Sequence, residues 1–264
     1  MRWINILFVL AVNAVPFYGA MFLGWSVSTI LVLYWVENLA LIATTSTRIV
    51  MHRIWTRRRG HWTGSPEGTG PEVGKHANTY LVQYAAMALV FTLAHGVFVI
   101  AIAIAMTHNH PQEAIWRFSF EQFRAGALTM CALLAVDLAL DLTTLRGRNF
   151  AWLKNYVDRR TARVFILHVG LIFGMCGIFL SKSPLGLLAA LMGLKTLVDI
   201  AGVWPAATAE KPGVPDDEPP AWANRTAKAI VGGGKEADEL IAKWKADRLL
   251  QAQGLARSEE VMPV

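Results

Sequence analysis

Eight polar side chains stand inside otherwise apolar stretches: Glu37, Asn38, His95, Asp137, Asp141, His168, Lys195 and Asp199. A charge at a bilayer centre costs roughly 2.5–3.5 kcal/mol even on the lenient insertion scale, so ionisable groups kept there point to function. Histidines and carboxylates together ligate borderline divalent ions such as zinc, manganese or iron, and His95, His168 and Asp199 form the candidate ligand set. Glu37, Asp137 and Asp141 are then the candidate catalytic acids and bases, with Asn38, Arg163 and Lys195 supporting them. The same carboxylates could instead relay protons, because like charges held close raise one another's proton affinity.

Spacing restricts how these groups face. Asp137 and Asp141 are four residues apart, as are Lys195 and Asp199, so each pair shares one helix face. Four carboxylates against Lys195 alone sum to −3 if all ionise, which a low-dielectric interior tolerates only with protons or a bound cation. A plainer account exists for each residue taken singly. Lys195 can pair with Asp199 or Asp137, the histidines can donate hydrogen bonds between helices, and Asn38 can join two helices. That account weakens for the whole set, since one lysine cannot neutralise four acids.

The elements that must position these residues are apolar runs of about 20 residues, the length a helix needs to cross the hydrocarbon core. Six such runs are present, near Ile4–Phe22, Ser26–Thr47, Thr79–Met106, Ala125–Leu145, Ala162–Leu180 and Pro184–Trp204. The expected fold is an all-α, polytopic membrane bundle of six helices over residues 1–204. Apolar residues make up 54% of the 264-residue chain and charged residues 17%, too extreme for a water-soluble core. Pro16 falls inside the first run and is expected to kink it. That run also resembles a signal peptide, but a second run follows so closely that an uncleaved hairpin is the better reading.

Outside the runs, Arg48–Asn78 carries six Lys and Arg residues and Arg146–Arg163 another six, against three in the intervening connections. The positive-inside rule then puts both termini in the cytoplasm, with Arg163 at the cytoplasmic mouth of the buried chamber. The net charge of +6 is thus spread in short clusters between apolar runs, which argues for lipid as partner and against nucleic acid. Cys131 and Cys176 both lie in apolar runs, so neither a disulfide framework nor a CxxC motif exists.

Residues 205–234 read as an acidic Pro/Gly-rich linker, and 235–264 as a cytoplasmic amphipathic helix and tail able to recruit a cytoplasmic protein. Pro111–Arg124, rich in Trp and Phe, is expected to form an outer interfacial helix after a turn at His108-Asn109-His110. Gly68–His76 and Gly232–Glu236 both miss the phosphate-loop spacing, and no HExxH, GxSxG or GxGxxG pattern occurs.

Tyr34-Trp35-Val36-Glu37-Asn38, Arg163 to His168 and Leu194-Lys195 to Asp199 resemble the Tyr-Trp-x-Glu-Asn, Arg-x4-His and Leu-Lys-x3-Asp signatures of an uncharacterised family of bacterial multi-pass membrane proteins. The resemblance covers about residues 1–204. It implies a place in the bacterial cytoplasmic (inner) membrane and marks Glu37, Asn38, Arg163, His168, Lys195 and Asp199 as family positions, without implying an activity. The chain departs from the pattern at Val136-Asp137, where a Ser-His pair is expected.

Three functions follow from these readings. The buried set is a cation- or proton-binding site, serving a membrane-embedded metalloenzyme that acts on a lipid-borne substrate. The first alternative is a cation or proton-coupled transporter, and the second a non-catalytic accessory subunit of a membrane complex.

Overall fold

The computed structural model describes residues 2–63, 79–109, 117–163, 166, 192–200, 239, 242–243, 254 and 256–262. Among these residues the chain is helical and contains no strand. Helix α1 spans Arg2–Phe22, α2 Val27–Thr56, α3 Thr79–Asn109 and α4 Phe120–Leu145. Residues 150–163 form α5 and residues 192–200 form α6. Helices α2, α3 and α4 are each long and apolar enough to cross a membrane. Helix α1 offers only a shorter apolar stretch, Ile6–Phe22. Of the six expected spans three are met among the described residues: α1 falls short, and most of the fifth and sixth runs lies outside them.

Several boundaries differ from the sequence expectation, each for a local reason. Helix α2 runs nine residues past Thr47 and so carries Arg48 and His52 into the packed interior. Phe120 and Phe123 belong to the first turn of α4, whose N-terminus is capped by the Ser119 hydroxyl accepting from Gln122 N. These aromatics are thus part of a candidate span, and the expected interfacial helix is not formed there; residues 110–116 lie outside the description. His108 and Asn109 complete α3 where a turn was expected. The basic connection Arg146–Arg163 is mostly helix α5, started by Asn149 Oδ1 accepting from Trp152 N at 2.8 Å.

The chain divides into two compact units. The first comprises Met1–Trp55, Leu81–Arg148 and Asn155–Ala206 and is organised around α2. One side of α2 packs Val27, Ile30, Leu31 and Tyr34 against Val99 and Ile102 of α3 and Met192 of α6. Its other side packs Leu33 and Leu41 against Val12 of α1 and Met130 and Leu134 of α4. Close approach to α3 depends on Gly96, where a Cβ would fall 2.6 Å from Trp35 Nε1. That indole donates to Thr92 O at 2.9 Å. By contrast, α3 and α4 leave most of their apolar surface exposed, as lipid-facing helices do.

The second unit comprises Thr56–Tyr80, Asn149–Lys154 and Ala207–Val264. His61 of a 3-10 turn, Arg59–His61, packs edge-on to Tyr80 and Phe150 with ring centroids 6.4 and 5.0 Å away. Arg58 forms an antiparallel bridge with Val261, so the end of the chain is held against the segment that follows α2. The proposed linker 205–234 lies outside the described residues. Of the amphipathic helix expected over 235–253, only Glu239, Ala242 and Lys243 are described, all helical and exposed.

Candidate functional site

In the first unit, five side chains from four helices meet. Glu37 lies on α2, Arg163 at the end of α5, Lys195 and Asp199 one turn apart on α6, and Asn13 on α1. Arg163 Nη2 donates to Glu37 Oε1 at 2.6 Å, and Lys195 Nζ lies 3.0 Å from the same oxygen. Asp199 Oδ2 accepts from Lys195 Nζ at 3.0 Å, Arg163 Nη2 at 3.3 Å and Asn13 Nδ2 at 2.9 Å. Arg163 Nε also pairs with Asp199 Oδ1. Asn13 Oδ1 accepts from Lys195 Nζ at 2.7 Å, and Asn13 Nδ2 donates to Val9 O at 2.8 Å. All five side chains are buried. The cost of dehydrating such charges is met only by this density of complementary partners.

A second cluster lies in the same unit. Arg48 Nη2 sits 2.8 Å from both Asp137 Oδ2 and Asp141 Oδ2, and its Nε donates to Asp141 at 2.9 Å. The four-residue spacing of the two aspartates does bring both onto one partner, but that partner is a guanidinium. Arg48 and Arg160 lie 5.3 and 5.2 Å from the centroid of the Tyr156 ring, within range of a cation–π contact.

Between the clusters lies a cavity of about 20 Å³ whose walls include Asn13, Glu37, Asp137, Arg160, Arg163 and Asp199. One water needs roughly 10–15 Å³ measured this way, so the space has room for about one water. Glu37 Oε2 and Arg163 Nη1 are buried without a hydrogen-bond partner among the described residues, as is Asn38 Oδ1.

The charge balance differs from the one the sequence suggested. Arg48 and Arg163, counted there with the cytoplasmic collar, are buried partners of the acids. Three cations in direct contact leave one excess negative charge on four carboxylates, and Arg160 on the cavity wall offsets it. The deficit that called for a bound metal is thus filled by the chain's own guanidiniums. His95 is buried on α3, while His168 lies outside the described residues. Among the described residues no group of three or more His, Cys, Asp or Glu side chains gathers to hold a metal ion.

Sequence reasoning found both acids of the first cluster, its lysine and its arginine, but missed Asn13, Arg48, Arg160 and Tyr156. A signal for Arg48 existed. Glu37, Leu41, Thr45, Arg48 and His52 recur at three- and four-residue steps, and all are buried on one stripe of α2.

Residues 1–215 match the model of a family whose description is "Family of unknown function (DUF6498)". The chain belongs to that family. No curated protein and no solved structure matches it. Every residue of both clusters falls within the matched region, whereas residues 256–262 fall outside it. Family membership thus covers the charged interior and the helices long and apolar enough to cross a membrane, and brings no activity with it.

Proposed function

We propose that the chain is a six-span protein of a bacterial cytoplasmic (inner) membrane with both termini in the cytoplasm. Its buried charges are the proton-operated lock of a transporter for a small solute. Atom sharing carries this reading: Glu37 Oε1 takes both Arg163 and Lys195, and Asp199 Oδ2 takes both again together with Asn13. A proton on Glu37 removes an acceptor common to two cations and leaves Asp199 alone to hold them. That imbalance favours separation of α2 from α5 and α6, the kind of discrete rearrangement that alternating access requires. The cavity supports the same reading, being large enough for a water to deliver the proton. The metalloenzyme reading has less support, because Asp199 is already engaged by two cations and an amide.

Proteoliposomes loaded with a pH-sensitive dye and polarised inside-negative test the proposal. Wild-type protein is expected to acidify the lumen faster than empty vesicles, and Glu37→Gln and Asp199→Asn to abolish the difference while still eluting as folded protein. Acidification that persists in both variants, or that never exceeds empty vesicles for wild type, overturns it.

A further inference from the structure

The longest basic run of the chain, Arg57-Arg58-Arg59, follows directly on α2. Thirty helical residues span about 45 Å at 1.5 Å each. That is about the hydrocarbon core plus both headgroup layers, roughly 40–45 Å, so in chain order the basic run follows a helix long enough to reach the headgroup layer. Guanidiniums at that depth bind phosphate through paired N–H donors. In the structure the donors of Arg58 and Arg59 are engaged by the end of the chain. Arg59 Nη1 lies 2.7 Å from Glu260 Oε2, Arg58 Nε lies 3.6 Å from Glu259 Oε2, and Arg58 Nη1 also donates to Glu259 O. Two backbone bonds, Arg59 N to Glu260 O at 2.8 Å and Met262 N to Arg57 O at 2.9 Å, complete the contact.

We propose that Arg57–Arg59 is a binding site for the phosphate groups of anionic lipids, and that the C-terminal segment 256–262 is its built-in, displaceable competitor. The tail places two carboxylates on the donors a phosphodiester would use. Its hold is uneven: Glu260 is 56% exposed and its solvent-facing ion pair contributes little, whereas Glu259 Oε1 also accepts from Ala151 N at 2.7 Å and Ser258 is buried. An anionic leaflet attracts each nearby arginine by about a factor of five in equilibrium constant. Three arginines together gain roughly a hundredfold from an anionic leaflet, and on this proposal that gain exceeds the exposed ion pair of Glu260 and its neighbouring contacts, so the tail is released.

Hydrogen–deuterium exchange of the full-length protein in nanodiscs tests this, because the amides of Arg59 and Met262 report docking directly. In phosphatidylcholine discs both amides are expected to be protected. In discs containing phosphatidylglycerol they should exchange on the order of tenfold faster. Glu259→Gln/Glu260→Gln is expected to exchange fast in both lipids, and Arg58→Gln/Arg59→Gln to lose the lipid dependence. Equal protection in the two lipids overturns the proposal. So does release by inorganic phosphate in phosphatidylcholine discs with no further effect of phosphatidylglycerol, which would make the free anion the ligand. Exchange that depends on protein concentration would assign the docked tail to a second copy and overturn it as well.

Discussion

The aspartates of α4 illustrate how strongly a single buried cation can determine what acids do. Arg48 holds Asp137 and Asp141 at once, so its loss leaves two half-buried carboxylates without their cation. Arg48→Met is expected to lose about 3–5 kcal/mol of stability, the range for breaking a buried pair by removing one partner. The triple variant Arg48→Met/Asp137→Asn/Asp141→Asn should recover most of it, since no uncompensated charge remains. Reversible detergent unfolding of the purified protein checks both. If the single variant is as stable as wild type, the cluster is solvated and the buried-pair reading fails. The acids themselves were legible because a carboxylate inside an apolar run is conspicuous. Arg48 was legible only from its place on the buried stripe of α2, since it sits one residue past its run and reads as an orientation charge, and Asn13 carries no charge to stand out. Which partners an acid has is decided by where several helices converge, and no local pattern encodes that.

At the scale of elements, the apolar runs predicted helices well and their ends poorly. Hydropathy stops where charge begins, whereas α2 continues through Arg48 because its buried stripe has acidic partners waiting on α4. The same helix meets α3 through a glycine and an indole. Gly96→Ala pushes a methyl against Trp35 and is expected to cost about 1–3 kcal/mol, the range for overpacking a well-filled interface. In a Trp35→Leu background the same change should cost much less, so a double-mutant cycle on thermal midpoints gives a coupling well above zero. Additive effects would mean that α2 and α3 do not touch at Trp35. Nothing in the sequence singled out Gly96 from the other glycines, since its role depends on a neighbour 61 positions away.

For the whole molecule, withdrawing Arg48, Arg160 and Arg163 from the collar leaves nine basic residues against three, which still favours cytoplasmic termini. A fluorescent-protein fusion after Val264 is therefore expected to glow, and an alkaline phosphatase fusion after His110 to be active outside the cytoplasm. The reverse pattern would invert the topology. The first cluster also has a consequence for synthesis. Asn13 and Asp199 bond across 186 positions of sequence, and Lys195 reaches Glu37 from the same late helix. At roughly 5–20 residues per second, a ribosome needs on the order of 10–40 s after making α1 to deliver α6. Throughout that interval Glu37 and Asn13 have no α6 to meet, so the first cluster can close only after the last of its helices has been made.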